Sequence, residues 1–320
     1  MSWIELSFDT TNEAVDWVCT LLAKAIAAED IHINPYRELS AKVSHQWTFT
    51  IQMYLTEDTQ IHQRIKAIAE ILNPLHRTGM TSELQTFVVD QLPTHREEDH
   101  QNSLIRKIGD RLVIIAPDSN YQPSNDQEII LRLQNSLAFG TGLHPATVLS
   151  LRLLERHVKP PLHTLDLGSG SGILSVAIAK LGAQVLAIDN DPIAVSATQE
   201  AVQRNQVAEM VTVMGASLGS ASQLGHWMGG DRLESIPEIK ADGQFDLIVA
   251  NIFARVHISL ADEYYQALRN NSKHAHSGIL ITAGYTSDRQ EDITSAMLAV
   301  GFSLCDRQQM GEWVAIAFSK

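Results

Sequence analysis

The stretch His163 to Gly182, HTLDLGSGSGILSVAIAKLG, constrains this chain more than any other. Thr164, Leu165 and Leu167 form a short apolar run that ends at Gly168, and past the loop Ile173, Leu174, Ala177, Ile178 and Leu181 recur at helical spacing. The apolar period therefore switches from strand to helix across a few residues, which predicts a strand, a tight turn and a helix in direct succession. Gly168, Gly170 and Gly172 let the backbone turn sharply and come close to a ligand, and the helix start beyond offers free amides. A loop of this kind holds a small molecule.

The spacing bears on which molecule. A dinucleotide loop carries G-x-G-x-x-G, whereas here the third glycine comes one residue early and Asp166 stands two residues ahead of the first. Asp189 closes the apolar strand VLAID, where a carboxylate can accept both hydroxyls of a ribose. A carboxylate there serves NAD equally well, so Asp189 alone does not choose the cofactor. Asp191 followed by Pro192 reads as an N-cap and first helical residue, which leaves Asp189 for the ligand. Further on, QFDLIVANIFARV is an apolar strand running straight into Asn251. A polar amide at a strand's carboxyl end sits where open α/β sheets place ligands, although it also suits a cap for the next helix.

At 320 residues the chain is long enough for two domains. Residues 1–92 read as β-α-β-β-α-β. WIELSF alternates, Val15, Val18, Cys19, Leu22 and Ile26 mark a helix face, and a weaker extended stretch starts at Ile31. QWTFTIQMYL is a strand, Ile61, Ile65, Ile68 and Leu72 mark a second helix, and LQTFVVDQL closes the unit. That is the ferredoxin-like order, without any chemical motif, and it reads as a recognition module. Residues 93–136, with the charged THREEDHQ, the strand RLVIIAP and the polar DSNYQPSNDQE, read as a linker or hinge. Residues 137–320 form the second domain. It opens on LAFGTGLHPATVLSLRLLERH, whose glycine-threonine segment suits a lid over the cofactor, or a helix entry capped by His144 and Thr147. A long loop from Gly215 to Gly243 carries Trp227. A helix from Val256 to Leu268, the strand GILITAG, a helix over Arg289 to Leu298 and a terminal strand pair, FSLCDRQ and EWVAIAFS, complete the chain.

Composition narrows the partners. The 24 basic against 37 acidic residues give a net charge of −13, which disfavours a nucleic-acid footprint and favours a basic partner. No basic leader and no apolar run of about 18 residues occurs, so neither export nor a membrane span is expected and the cytoplasm is the default location. Cys19 and Cys305 read as small core residues. The 13 histidines lack ligand spacing, His274 and His276 falling in a polar loop, so no metal is expected.

With these blocks assembled, the chain resembles the ribosomal protein L11 methyltransferase (PrmA) family. LAFGTGLHPAT, LDLGSGSGILSVAIAKLGA followed by AIDNDP, and VANI carry the resemblance, with weaker matches in GILITAGY and at the pair Glu312 and Trp313. The resemblance implies a Rossmann-like class I methyltransferase domain with a mostly parallel seven-stranded sheet and a terminal antiparallel hairpin, preceded by a small α+β ferredoxin-like substrate-recognition domain. It implies S-adenosylmethionine as cofactor, held by Thr147, Asp166, Gly168, Gly170, Asp189 and Asn251, and a large-subunit ribosomal protein as substrate, methylated on lysine and N-terminal amines. Asn251 would orient the amine, as the similar NPPY-type motif does in other amino methyltransferases. Two other readings stay open: a methyltransferase for another protein, a nucleic-acid amino group or a small molecule, and a dinucleotide-dependent oxidoreductase.

Overall fold

Strict alternation shapes the first strand. In a computed structural model of the chain, which describes residues 3–11, 14–22, 26, 31–36, 47–56, 58–89, 105–117, 119–133, 144–219, 237–270 and 278–320, β1 (Trp3–Thr10) buries Ile4, Leu6 and Phe8 on one face. Two compact units emerge. The first comprises residues 1–101 with 136–139, and the second residues 102–135 with 140–320.

In the first unit β1 lies between β3 (Phe49–Thr56) and β4 (Gln85–Val89), and β2 (Ile31–Pro35) pairs outside β3. All pairings are antiparallel, giving the ferredoxin-like order β4-β1-β3-β2. Val15, Val18 and Leu22 from the helix Val15–Leu22, with Ile61, Ile68, Leu72 and Leu75 from the helix Ile61–Arg77, cover the apolar face. The other face is polar, with Gln52 bridging Asn34 and Glu5.

The second unit begins earlier than the sequence suggested. Within the stretch read as a linker, β5 (Arg106–Ile108), β6 (Leu112–Ile115) and β7 (Ile129–Arg132) form a three-stranded sheet. Ile108, Leu112, Ile114 and Leu131 are buried in the same core as the helices Pro145–His157 and Ile173–Lys180. The linker reading fails for 105–133 because LVII is apolar on both faces, and because carboxylates fasten the polar turns. Glu128 accepts from Lys107, from the Tyr121 hydroxyl and from the Ser124 amide, while Glu155 accepts from the amides of Asp110 and Arg111.

The main sheet has seven strands in the order β10-β9-β8-β13-β14-β16-β15. β8 (His163–Leu167), β9 (Gln184–Asp189), β10 (Val211–Gly215), β13 (Leu247–Asn251) and β14 (Ile279–Thr286) run parallel. The hairpin β15 (Ser303–Met310) and β16 (Trp313–Ser319) closes it antiparallel. Two short strands, β11 (Ser217–Leu218) and β12 (Glu238–Ile239), pair beside it. The expected helix from Val256 to Leu268 is two pieces, Ala254–Ser259 and Ala261–Ala267, meeting at the buried Leu260.

Cys305 is a second correction, since it is exposed rather than in the core. The register of β15 against β16 shifts between Leu304 and Asp306, so Cys305 is the extra residue of a bulge on the edge strand, where simple alternation fails. The glycine-threonine segment from Leu137 to Leu143, THREEDHQ, Trp227, His274, His276 and the side chain of Cys19 lie outside the described residues. Among the described residues no helix is long and apolar enough to cross a membrane.

Candidate active site

The central strands put three of the expected residues in one row. Leu167 of β8 is level with Ile188 of β9 and with Ala250 of β13, so Gly168, Asp189 and Asn251 each come next at a strand's carboxyl end. Neighbouring strands are about 4.8 Å apart, so the row spans on the order of 10 Å. Successive strands are added on one side of β8 as far as β10 and on its other side from β13, which makes the carboxyl end between β8 and β13 the topological switch point where open α/β sheets bind ligands.

The glycine loop is held from several sides. Gly168, Gly170 and Gly172 all have positive φ, at 76°, 52° and 77°. A Cβ on Gly168 would lie 2.7 Å from Ile252 Cγ2, and one on Gly172 would lie 2.9 Å from the Thr198 backbone. Gly168 is thus bare so that the segment after Asn251 can lie against the loop, which joins the two halves of the site. Thr198, on the helix Pro192–Arg204, donates to the Gly170 carbonyl and lies 2.9 Å from Ser169 Oγ. Four amides of the loop, ahead of the helix start, are engaged within the protein. Those of Gly168 and Ser169 both donate to the Ile188 carbonyl, that of Gly170 to Asp189 Oδ2, and that of Gly172 to the Ser169 carbonyl.

The two acids sit in different frames. Asp166 is fully buried; Oδ2 accepts the Ser175 hydroxyl at 2.5 Å, while Oδ1 has no hydrogen-bond partner among the described residues. Burial pushes its carboxyl up to about 7, with the neighbouring Asp189 charge adding to the rise and the Ser175 hydroxyl opposing it. Burial also raises Asp189, against the Asp191 and Gly170 amides that favour its charged form. Asp189 is therefore not as free as its position suggested: each oxygen already accepts one amide, at 3.0 Å. A carboxylate oxygen can accept again, so the ligand would share it with the loop. Asp191 caps the next helix through the Ile193 amide, as the sequence indicated.

Across the row, Asn251 and Thr147 meet although they are 104 positions apart: Asn251 Nδ2 donates to Thr147 Oγ1 at 3.2 Å. Thr147 is buried, so of the two capping candidates only His144 caps, its Nδ1 accepting the Ala146 amide. The His144 ring also meets Trp313 edge-on with centroids 4.3 Å apart, and burial lowers its pKa to about 4. Sequence reasoning missed Ser175, Thr198, Ile252 and His257. The first two are hydroxyls on helix faces that otherwise read as apolar, and nothing local marks them as braces for a loop.

The residues present suit a positively charged, ribose-bearing ligand. Asp166, whose Oδ1 has no hydrogen-bond partner among the described residues, and Asp189 beside it are two carboxyl groups that a cationic ligand would favour in their charged form, and Asp189 closes its strand where open α/β sheets take a ribose. Fold and site together define a class I S-adenosylmethionine-dependent methyltransferase, with the strand order and terminal hairpin of that class. The chain belongs to the ribosomal protein L11 methyltransferase (PrmA) family, whose pattern matches residues 2–320. It is 37% identical over 331 residues to the ribosomal protein L11 methyltransferase of Chloroflexus aurantiacus, covering 98% of this chain and 97% of that one. The protein of the same name from Herpetosiphon aurantiacus is 36% identical over 333 residues, covering 100% and 99%. The crystal structure of ribosomal protein L11 methylase from Lactobacillus delbrueckii subsp. bulgaricus matches with a TM-score of 0.52 and 30% identity, over 68% of this chain and 98% of that chain.

Proposed function

We propose that this enzyme methylates lysine side-chain and N-terminal amines of the large-subunit ribosomal protein L11 in the cytoplasm, and that Asn251 aligns the amine. The observation that carries the reading is the Asn251 to Thr147 hydrogen bond at the end of β13. With Nδ2 committed to Thr147, Oδ1 is the atom left to accept an N–H from the substrate. When bound, S-adenosylmethionine supplies a methyl carbon whose bond to sulfur breaks, the electron pair going to sulfur, as the amine's lone pair forms the new C–N bond.

The chain's part is to bind and orient. A lysine amine with a reference pKa near 10.4 is mostly protonated in water, so the site must favour its neutral form. An acceptor such as Asn251 Oδ1 fixes the lone pair along the line of transfer, and such positioning can supply up to roughly 7–11 kcal/mol of the barrier. The surplus proton leaves the nitrogen for solvent after transfer. Asp166, Gly168, Gly170 and Asp189 hold the donor on the other side of the row, and Thr147 serves the site through Asn251. The ferredoxin-like unit presents the substrate, and the acidic net charge of −13 favours a basic ribosomal protein over a nucleic acid.

Incubation with methyl-labelled S-adenosylmethionine and stripped ribosomal proteins tests the substrate. Label in L11, on lysine and α-amino nitrogens, is expected. Label confined to ribosomal RNA or to a different protein would replace the reading. Deletion of residues 1–92 that left L11 methylation unchanged would remove the presenting role from the first unit.

A further inference from the structure

We propose that His257 is a positioning residue for methyl transfer, its imidazole fastening the turn that carries Asn251 to the next strand through the Ala283 carbonyl. The inference rests on the proposed role of Asn251, which it deepens. His257 is completely buried six residues past Asn251, on the short helix Ala254–Ser259. Its Nε2 lies 2.9 Å from the carbonyl oxygen of Ala283, and its Nδ1 lies 3.3 Å from the Tyr264 hydroxyl. A carbonyl only accepts, so Nε2 carries the proton. Nδ1 is then a lone pair, and the Tyr264 hydroxyl must donate to it. These two contacts suit one neutral tautomer; burial lowers the ring's pKa to about 4 and keeps it neutral, against backbone hydrogen bonds to Ala283 and Ile252 that raise it.

The point of attachment gives the ring its leverage. Ala283 is level with Asn251 across β13 and β14, and the same Ala283 carbonyl accepts the Ile252 amide at 3.0 Å. Both of its lone pairs are thus committed, one to the residue after Asn251 and one to His257. The His257 amide in turn donates to the Phe253 carbonyl, closing the turn Asn251, Ile252, Phe253 between two anchors. On the next residue of β14, a Cβ on Gly284 would lie 2.5 Å from the Ile252 carbonyl oxygen, so the strand is bare where the turn presses on it. Tyr285 flanks the ring edge-on at 5.6 Å, and its own hydroxyl is bonded to Thr282 at 2.8 Å. A buried leucine would fill the same space without any of these bonds. What the histidine adds is a fixed angle for the turn, and Asn251 needs that angle for its acceptor to face the amine.

A double-mutant cycle on the full chain separates this from a packing role. His257→Leu is expected to lower kcat about 10-fold while KM for the methyl donor moves less than about 3-fold, and His257→Gln, which can still donate to Ala283, is expected to recover most of the loss. In an Asn251→Ala background, His257→Leu is expected to lower kcat by less than about 2-fold, because the group it aims is already gone. An equal loss in both backgrounds would overturn the proposal while leaving Asn251 in place. An unchanged kcat in Asn251→Ala alone would instead overturn the reading on which it rests. Should His257→Leu fail to fold, nitrogen-15 spectra of imidazole-labelled wild-type protein at pH 7 decide the matter. A proton on Nε2 with Nδ1 bare supports the anchor, and the opposite tautomer or a charged ring refutes it.

Discussion

The two sides of the active-site row work by different physics. On β8 and β9 the side chains are acids held at raised pKa: Asp166, fully buried with one oxygen unpartnered among the described residues, and Asp189, shared between two amides. At the end of β13 and on the helix that follows it they are neutral: Asn251 against Thr147, and His257 between Ala283 of β14 and Tyr264. The first side stores unfavourable electrostatics that a cationic donor relieves, so its residues should govern affinity. The second holds dipoles at set angles, so its residues should govern rate. The two sides meet where β8 pairs with β13 and where Ile252 lies against the bare face of Gly168.

Substitutions on each side should separate these effects. Asn251→Ala is expected to lower kcat by about 100-fold or more while calorimetry finds donor affinity within about 3-fold of wild type. A comparable loss of affinity would erase the division. Asp189→Ala is expected to weaken donor binding by about 10–100-fold, the range for a hydrogen bond to a charged group, with kcat at saturating donor nearly retained. The same substitution frees the Gly170 amide, so some of that loss reflects the loop.

Asp166 offers a test without substrate. Its carboxyl titrates near 7 in the folded chain against about 3.9 unfolded, so between those values the folded state binds more protons and stability falls as pH rises. Asp166→Asn should therefore raise Tm over wild type by a margin that grows from pH 5 to pH 7.5 and then levels off, while donor binding weakens. A margin independent of pH would mean that Asp166 is ionised in the free enzyme. The smallest effect expected is that of Thr147→Val, a loss in kcat of about 3–10-fold that Thr147→Ser restores, since only the hydroxyl oxygen reaches Asn251.

Much of the row was legible in the sequence because it lies on regular elements. The switch from strand to helix around Gly168, the strand ending at Asp189 and the strand ending at Asn251 are all local patterns, and an open α/β sheet aligns strand ends. What sequence could not show are the long-range contacts. The Asn251 to Thr147 bond spans 104 residues and the Ala283 anchor of His257 spans 26, and neither leaves a periodic trace. Of the β5-β6-β7 sheet only β6, within RLVIIAP, was legible; β5 and β7 escaped because the turns around them are polar and they are 3–4 residues long, too short for alternation to register. Cys305 escaped for a related reason, since one bulge reverses inside and outside.

The most direct test of the central claim is a crystal structure of the full chain with S-adenosylhomocysteine, the product left after methyl transfer. The expected result has the ribose hydroxyls on Asp189, the ligand backed by the loop from Gly168 to Gly172, and its sulfur facing Asn251. Ligand bound away from this row, or with its sulfur turned from Asn251, would contradict the account.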